Sequence, residues 1–380
     1  MKIALAHHWM TSYRGGERVL EQIALLAPDA DIHTLVFDDK VLIPGIANRK
    51  VIASELNRIP GVEKFYRHLL PAHPFAIGRM SIPDDVDLLL SSDASMIKGI
   101  KTSPETTHVC YCHSPPRYLW EMGAEYKKAS LAARVMLDRF APALRRFDFL
   151  AAQKVTHFVA NSKFVAERIA KYYQRDAEVI YPPVAVDDFR SDRQRKPFYL
   201  VISELVPYKR IDLAVAAFNR LGKRLVVIGD GPERSKLEAM AKSNITFMGR
   251  QPFSTLKEHL ETATAFVFPG IEDFGITPVE AQAAGCPVIA FRAGGALETV
   301  VDGETGVFFD QQSSESLAEC IVEFNSSDFD PKSCADHASE FSSEQFRSNY
   351  TEFLARVTRP TLVLRPHQVR NWNRSSAAAG

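Results

Sequence analysis

The sequence has little cysteine, no long apolar run and no net charge. The five cysteines in 380 residues are odd in number and scattered, which excludes a disulfide framework or a zinc cluster as the basis of the fold. No uncharged apolar stretch approaches the roughly 18 residues of a membrane-spanning helix, and the apolar stretch after Lys2 is too short for a secretory signal. Lys plus Arg and Asp plus Glu both total 46, which argues against a nucleic-acid-binding protein. We therefore expect a cytosolic protein with reduced thiols that does not bind nucleic acid.

What is present is a chain long enough for two or three domains. Segments typical of buried strands alternate with segments of helical periodicity, first over 2–173 and again over 198–290. The turn-rich, charge-dense segment from Tyr181 to Pro197 separates the two halves and is the candidate interdomain linker. Because strand–helix alternation is typical of parallel α/β proteins, the pattern predicts two doubly wound parallel sheets.

We expect four regions along the chain. The first two are an N-terminal Rossmann-like domain over 1–187 and a C-terminal Rossmann-like domain over 188–340. A helix within 341–358 is expected to pack back on the N-terminal domain, and a basic tail over 359–380 is expected to be disordered. Weak attraction of that tail to anionic lipid is the alternative.

The stretch 49–79 is locally basic, with six Lys and Arg residues against two glutamates. It also contains aromatic and aliphatic residues such as Phe65 and Phe75. The favoured interpretation is a solvated helix face whose apolar side packs into the core. The alternative is a peripheral contact with the inner face of the cell membrane or with a lipid-linked acceptor.

Candidate binding residues cluster at the predicted carboxyl ends of strands, where open α/β sheets bind ligands. Gly15 and Gly16 precede the first helix, where backbone amides can approach a phosphate, although glycine pairs also form simple turns. Residues 203–210 place Lys209 and Arg210 after a strand, and adjacent cations suit a diphosphate as well as an exposed basic turn. Residues 229–232 lack the third glycine of a dinucleotide fingerprint, which argues against a nicotinamide cofactor.

The stretch from Phe268 to Glu280 is the most informative. Two glutamates, Glu272 and Glu280, flank a glycine turn that enters a helix. Thr277 as N-cap and Glu280 at the third helical position form a candidate capping box. Alternatively Glu280 binds ribose hydroxyls while the backbone amides of 274–276 face a phosphate. On these residues alone, the capping role is favoured.

Two further groups of residues leave alternatives open. His113 ends a predicted strand and is either part of a site or a hydrogen-bonded loop residue, and His7 and His8 either line a cleft or pack beneath it. Asp85 and Asp87 form an Asp-x-Asp sequence that superficially resembles a metal site. Because they precede a predicted strand, a turn is the favoured interpretation.

Taken together, the motifs resemble the retaining GT-B glycosyltransferases of family 4. In the second half the similarity rests on Glu272 and Glu280 with the Phe-Gly turn between them, and on residues 205–210, 229–233 and 284–288. In the first half it rests on residues 14–18, 112–120 and 160–162, so that it covers the chain up to about residue 357. The resemblance implies the GT-B fold, in which two Rossmann-like doubly wound domains face each other across a cleft. It also implies that the domain 1–187 is the acceptor side and that the domain 188–340 binds the nucleotide sugar.

The resemblance also implies roles for individual residues. Glu280 would bind the donor ribose, Lys209 would neutralise the diphosphate, and Glu272 would contact sugar hydroxyls. His113 would lie beside the transferred sugar and Arg250 beside the nucleobase. The implied catalytic residues are His113, Glu272 and Lys209, and the implied donor-binding residues are Gly15, Gly16, Ser203, Lys209, Arg210, Gly229, Arg250, Phe274, Gly275, Ile276, Thr277 and Glu280. Many family members have an arginine where this chain has Glu204, so the cationic clamp would depend on Lys209 and Arg210.

The implied activity is the transfer of a hexose, with mannose from its guanosine diphosphate as a candidate, to a glycan or lipid-linked acceptor in polysaccharide or glycolipid biosynthesis. Retention of configuration would follow from front-face attack, with the leaving diphosphate as base. The nucleotide sugar is a co-substrate, and neither a cofactor nor a metal is expected. A nucleotide-sugar epimerase of the same fold and a non-catalytic sugar-nucleotide-binding subunit of a polysaccharide assembly complex remain open.

Overall fold

The computed structural model describes residues 1–121, 123 and 131–358. The predicted tail at 359–380 lies outside the described residues. Within the described part of the chain, two parallel β-sheets with helices on both faces make up the molecule. This observation confirms the predicted fold class of two doubly wound α/β sheets.

The first sheet has seven strands in the order β3-β2-β1-β4-β5-β6-β7. Its strands are β1 Ile3–His7, β2 Ile32–Thr34, β3 Val51–Ala53, β4 Leu88–Asp93, β5 Thr107–Cys112, β6 His157–Ala160 and β7 Ala177–Val179. Leu5 of β1 lies opposite Leu90 of β4, which in turn lies opposite Val109 of β5. These side chains are fully buried because helices cover both faces of the sheet.

The second sheet has six strands in the order β10-β9-β8-β11-β12-β13. Its strands are β8 Tyr199–Ile202, β9 Leu225–Ile228, β10 Ile245–Gly249, β11 Ala265–Phe268, β12 Val288–Phe291 and β13 Gly306–Phe309. The strand order reverses between β8 and β11, so the loops after these two strands border a crevice. Those loops contain the predicted motifs at 203–210 and 269–280.

Helices connect the strands and flank both sheets. The α-helices around the first sheet are Gly15–Leu26, Val62–Phe65, His73–Arg79, Arg117–Trp120, Leu131–Gln153 and Lys163–Tyr173. Those after it are Ile211–Leu221, Arg234–Met240, Phe253–Thr262, Ile276–Ala283, Ala296–Thr299, Ser314–Glu323, Pro331–Ser339 and Ser343–Val357. Short 3-10 helices lie at Pro44–Ile46, Glu55–Arg58, Tyr66–Ala72, Ile97–Gly99, Val186–Asp188, Pro207–Lys209 and Ser326–Asp328.

The helix Ser343–Val357 packs against the first sheet, although it follows the second sheet in sequence. The Ser342 hydroxyl accepts a hydrogen bond from the Gln345 amide and so caps the first turn. Phe346, Tyr350 and Phe353 lie on one face of this helix and are buried in the same cluster as Leu5. The first domain therefore consists of the sheet β1–β7 with its helices and this C-terminal helix, and the second domain consists of the sheet β8–β13 with its helices. The predicted boundaries at 187 and 340 stay predictions.

Two further findings concern membranes and metals. None of the described helices is both long enough and apolar enough to cross a bilayer. Asp85 and Asp87 lie before β4, at the edge of the sheet opposite the carboxyl ends of the strands. Lys2 Nζ lies 2.6 Å from Asp85 Oδ2, and the Lys2 backbone amide donates to Asp87 Oδ2 at 2.7 Å. The Asp-x-Asp sequence is thus part of an exposed surface contact with the start of β1.

Candidate active site

A cleft of about 940 Å³ lies between the carboxyl ends of the two sheets. Every predicted site residue except Arg210 lines it. The first domain contributes Gly15, Gly16 and His113, and the second contributes Ser203, Lys209, Gly229, Arg250, Glu272, Phe274, Gly275, Ile276, Thr277 and Glu280. Residues about 260 positions apart in sequence, such as Arg18 and Glu280, are therefore neighbours across the cleft. The roles of these residues stay predictions.

Arg210 is outside the lining because a neighbouring carboxylate holds it elsewhere. It follows the 3-10 turn Pro207–Lys209 in a left-handed conformation, with φ of 54°. Its Nε and a terminal guanidinium nitrogen donate to the two carboxylate oxygens of Asp212 at 3.1 and 3.2 Å. Asp212 lies in the first turn of the helix Ile211–Leu221. The structure therefore does not bring Arg210 to the predicted diphosphate clamp, which depends on Lys209.

Lys209 is mostly buried, and its ammonium group pairs with Glu272 Oε1. Burial, reinforced by the nearby Arg117 guanidinium, lowers the pKa of Lys209 to about 7. At neutral pH the cleft thus contains a lysine close to its titration midpoint. Such a group gains a proton when an anion binds beside it.

The structure shows that the capping box predicted for Thr277 and Glu280 is wrong. The helix Ile276–Ala283 begins after Gly275, which has a φ of 94°, and no side chain caps it. The Glu280 carboxylate instead faces the cleft, where Oε1 accepts a hydrogen bond from the Arg18 guanidinium at 3.1 Å. Burial raises the pKa of Glu280, against the opposing effect of Arg18. Glu280 is thus a cleft carboxylate held by the opposite domain.

The loop of residues 269–275 joins β11 to the helix Ile276–Ala283. The Phe274 ring is buried in it, between the rings of Tyr181 and Phe341 at centroid distances of 5.6 and 5.5 Å. The phenyl ring is therefore part of the core, and the backbone is the part of Phe274 suited to contact a ligand. The Gly295 amide donates to the Glu272 carbonyl at 2.9 Å. Sequence analysis missed this support, although the pair Gly294-Gly295 after β12 was a signal for a close backbone approach.

His113 follows β5 and is fixed by hydrogen bonds on both sides. Its Nε2 lies 2.8 Å from Ser92 Oγ, and Asn161 Nδ2 donates to its carbonyl at 3.0 Å. Burial, reinforced by His8, lowers the pKa of His113 to about 3. His8 lines the cleft as well, whereas His7 is not part of the lining and is fully buried. His113 therefore presents a neutral imidazole to the cleft.

Glycines allow the closest approaches in the cleft at two places. A Cβ atom on Gly15 would lie 2.6 Å from Ile276 Cδ1. The start of the first helix therefore approaches the second-domain wall of the cleft through backbone atoms alone. Gly229 has a φ of 135°, and a Cβ there would lie 1.8 Å from the Ser203 carbonyl oxygen. Only glycine fits this position, because both the backbone angle and the space exclude a side chain.

Glu204 takes part in a contact across the cleft. Arg14 of the first domain places a guanidinium nitrogen 3.5 Å from Glu204 Oε2, and both side chains are about half exposed. Arg67 also lines the cleft, so the basic stretch 49–79 contributes one cation to this site. The sequence patterns did not single out Arg14 and Arg67 as individual site residues, because isolated surface arginines carry no periodic signal.

Comparison with known proteins shows what this chain is similar to. Residues 186–341 match the family model described as glycosyl transferases group 1. The chain is 32% identical over 194 residues to the GDP-mannose-dependent alpha-(1-6)-phosphatidylinositol monomannoside mannosyltransferase of Mycobacterium tuberculosis, a match covering 43% of this chain and 50% of that protein. It is 28% identical over 196 residues to the O-antigen chain mannosyltransferase of Salmonella typhimurium, covering 46% and 56%. The chain thus spans about half the length of these curated relatives.

Solved structures extend the similarity to nearly the whole chain. Sucrose-phosphate synthase from Thermosynechococcus elongatus matches with a TM-score of 0.68 and 17% identity, covering 94% of this chain and 99% of that one. HepE of Anabaena, solved in complex with UDP, matches with a TM-score of 0.68 and 16% identity, covering 94% and 100%. Two facing doubly wound domains and these neighbours define a GT-B fold. The sequence of residues 186–341 is thus similar to the glycosyl transferases group 1 family, as the motifs indicated.

Proposed function

We propose that this protein is a retaining glycosyltransferase that moves a hexose from a nucleoside-diphosphate sugar to a glycan or lipid-linked acceptor. The observation that carries the proposal is the cleft, which gathers Lys209, Glu272 and Glu280 from the second domain opposite His113 from the first. A cation, two carboxylates and a neutral imidazole on facing walls suit a ligand with a diphosphate and many hydroxyls.

The donor is proposed to lie along the second domain. Lys209 and the backbone at the start of the helix Ile276–Ala283 suit the diphosphate, because helix N-terminal amides and a buried ammonium both favour anions. Glu280 is placed to accept hydrogen bonds from ribose hydroxyls, and Arg250 lines the same wall for the base. The donor sugar then points towards Glu272 and His113.

The proposed reaction breaks the bond between the anomeric carbon and the diphosphate oxygen while the acceptor hydroxyl attacks from the same face. Because the acceptor hydroxyl attacks directly, no carboxylate nucleophile is needed. A diphosphate oxygen takes the acceptor proton. Stabilising the leaving diphosphate is the main electrostatic task, and Lys209 with the helix amides performs it. His113 is too weak a base for this step, since its pKa is lowered to about 3, and we assign it a hydrogen bond to the sugar. We expect no requirement for a metal ion.

We propose GDP-mannose as the donor, in polysaccharide or glycolipid synthesis. The support comes from the relatives, since the Mycobacterium tuberculosis protein is named for GDP-mannose and both curated relatives are named as mannosyltransferases. The structure offers Arg250 near the expected base position. UDP in the HepE structure makes uridine nucleotides the first competitor to compare.

The decisive experiment is a thermal-shift panel of GDP, UDP and ADP with their hexose conjugates, followed by product analysis with acceptor glycolipids. A ligand at 100 times its dissociation constant stabilises the native state by about 2.7 kcal/mol. We expect GDP and GDP-mannose to raise the melting temperature most. No shift from any nucleotide would refute the donor site. Donor isomerisation without acceptor would indicate an epimerase, and binding without turnover would indicate a non-catalytic subunit.

We further propose that this enzyme is cytoplasmic and that it touches the inner face of the cell membrane through residues 49–79. The expected core packing is present, since Tyr66 and Ile77 are buried, but Phe75 remains 66% exposed with the Arg79 guanidinium 5.5 Å from its ring centroid. An exposed aromatic beside a cation suits an anionic bilayer surface. Co-sedimentation with phosphatidylglycerol vesicles should fall for Phe75→Asp and not for Val322→Asp, an equally exposed site in the second domain. Equal binding of both variants would refute the contact.

A further inference from the structure

We propose that Asp273 is a positioning residue that locks the loop of residues 269–275, called the donor loop from here on, to the first domain through Arg117 and Arg168. The inference rests on the proposed function, because it concerns the placement of the two walls of that site. Asp273 lies between Glu272 and the buried Phe274 in the donor loop. Its carboxylate interacts with two arginines that the first domain supplies.

The carboxylate is held at both oxygens. Arg117 Nε donates to Oδ2 at 3.0 Å, and a terminal nitrogen of the same guanidinium lies 2.8 Å from Oδ1. Arg168, in the helix Lys163–Tyr173, donates to Oδ1 at 2.5 Å. The Arg117 contact is the two-nitrogen, two-oxygen geometry in which arginine binds carboxylates most strongly. Both oxygens of Asp273 are therefore bound by the opposite domain.

Burial distinguishes this contact from the exposed Arg14–Glu204 ion pair across the cleft. The Arg168 side chain is 4% exposed, and those of Arg117 and Asp273 are 17% exposed. The Arg14–Glu204 pair is 58% and 46% exposed, and exposed pairs contribute little. Removing one partner from a buried pair is strongly destabilising, because it leaves a charge without compensation. The closed arrangement of the domains therefore depends on Asp273 more than on Glu204.

Arg117 connects the contact to the groups proposed for chemistry. It lies four residues after His113, and its guanidinium carbon lies 5.5 Å from the ring centroid of Tyr208, the neighbour of Lys209. Asp273 is itself the neighbour of Glu272. One arginine thus touches the loop that carries Lys209 and the loop that carries Glu272. Loss of the contact should shift both loops relative to His113.

The side chains proposed to bind the nucleotide, those of Lys209, Arg250 and Glu280, all belong to the second domain. Asp273 holds the first domain and is not among them, so its loss should separate nucleotide binding from turnover. A misplacement of about 1 Å in reacting groups can lower the rate about 100-fold. We expect Asp273→Asn to keep its affinity for GDP within about threefold and to lower kcat by about 10- to 100-fold, with Asp273→Glu recovering part of the loss.

The test compares Asp273→Asn and Arg117→Gln with Asp302→Asn. Asp302 pairs with Arg292 at 3.0 Å within the second domain, away from the cleft, and serves as the matched control. GDP affinity, kcat and the radius of gyration from X-ray scattering with GDP are measured on each folded variant. The proposal predicts lower kcat and a larger radius for Asp273→Asn and Arg117→Gln only.

Unchanged kcat and radius in both variants would overturn the proposal, as would an equal loss of GDP affinity and kcat. Failure of the proposed function has a different signature, because the wild-type protein itself would then bind no nucleotide or turn over no donor. The radius of gyration without nucleotide still decides the role of Asp273 in that case.

Discussion

The first prediction concerns the uptake of one proton by Lys209 when a diphosphate binds. Its pKa of about 7 in the ligand-free protein should rise when a diphosphate binds, because the anion favours the charged ammonium. Above pH 7 the lysine is mostly neutral, so binding takes up a proton and affinity for GDP falls as pH rises. Below pH 6 the lysine is already charged, and the uptake should disappear.

Titration calorimetry at pH 8.5 and pH 6 in buffers of different ionisation enthalpy measures this uptake. Lys209→Arg provides the control, because a guanidinium stays charged at both pH values. The same number of protons bound by wild type and control at pH 8.5 would assign the uptake to another group.

His113 should not titrate in the physiological range. Burial holds its pKa at about 3, so the imidazole stays neutral from pH 5 to 8. We expect the ring nitrogen NMR shifts of His113 to be constant over that interval, whether or not the enzyme turns over. His113→Ala should lower kcat by about 10- to 100-fold, or roughly 1.4 to 2.7 kcal/mol, through loss of a sugar contact. A titration midpoint near 6.5 would contradict the neutral role.

Glu280 should contribute to the affinity only for ligands that contain a ribose. A hydrogen bond to a charged group contributes about 1.5 to 3 kcal/mol, so Glu280→Gln should weaken GDP binding by about 10- to 150-fold. Pyrophosphate has no ribose, and its affinity should change by less than about twofold. Equal weakening for both ligands would mean that the substitution acts on the diphosphate site and not on the ribose site. Calorimetry with the two ligands makes the comparison.

At the scale of elements, buried strands and amphipathic helices could be read from the sequence. The helix Ser343–Val357 lies within the range 341–358 predicted for it, since its apolar positions recur at helical spacing. The strands β2, β3 and β7, at or next to the edges of the first sheet, have three residues each and were missed, because so short a segment has no measurable period. The start of the helix at Ile276 was misassigned for a different reason. It depends on a left-handed Gly275, and nothing in residue type distinguishes that glycine from one in an ordinary turn.

The same helix, Ser343–Val357, provides a stability prediction. Phe353 is buried against the first domain, and truncation of a buried phenylalanine typically costs about 3 to 5 kcal/mol. Phe353→Ala should therefore lower the free energy of unfolding by that amount in urea denaturation. Val322→Ala, at a site 65% exposed in the second domain, should change it by less than about 0.5 kcal/mol. Equal effects would show that the C-terminal helix is dispensable for the first domain.

At the scale of the whole molecule, the two-sheet architecture could be predicted but the pairing of the domains could not. Strand–helix alternation is a local property, and it fixes each sheet separately. The contact between Arg117 and Asp273 joins residues 156 positions apart and depends on how the two finished domains meet. Motifs at strand ends are local features as well, and they therefore predicted the candidate site. The prediction that Arg210 lies in the site was wrong, because its side chain is oriented by the neighbouring Asp212.

The C-terminal helix makes the second domain an insertion within the first. The chain leaves the first domain near Val184 and returns at Ser342, and the Val184 amide donates to the Phe341 carbonyl at 2.9 Å. The two connections between the domains are thus hydrogen-bonded backbone neighbours. Because they lie side by side, a rotation of one domain relative to the other would bend both connections at the same place. The two segments are also close enough to be joined directly in a shortened chain. Joining Val184 to Ser342 would close the first domain into an uninterrupted chain that lacks the proposed nucleotide-binding domain, so binding of a proposed acceptor could be measured without any donor.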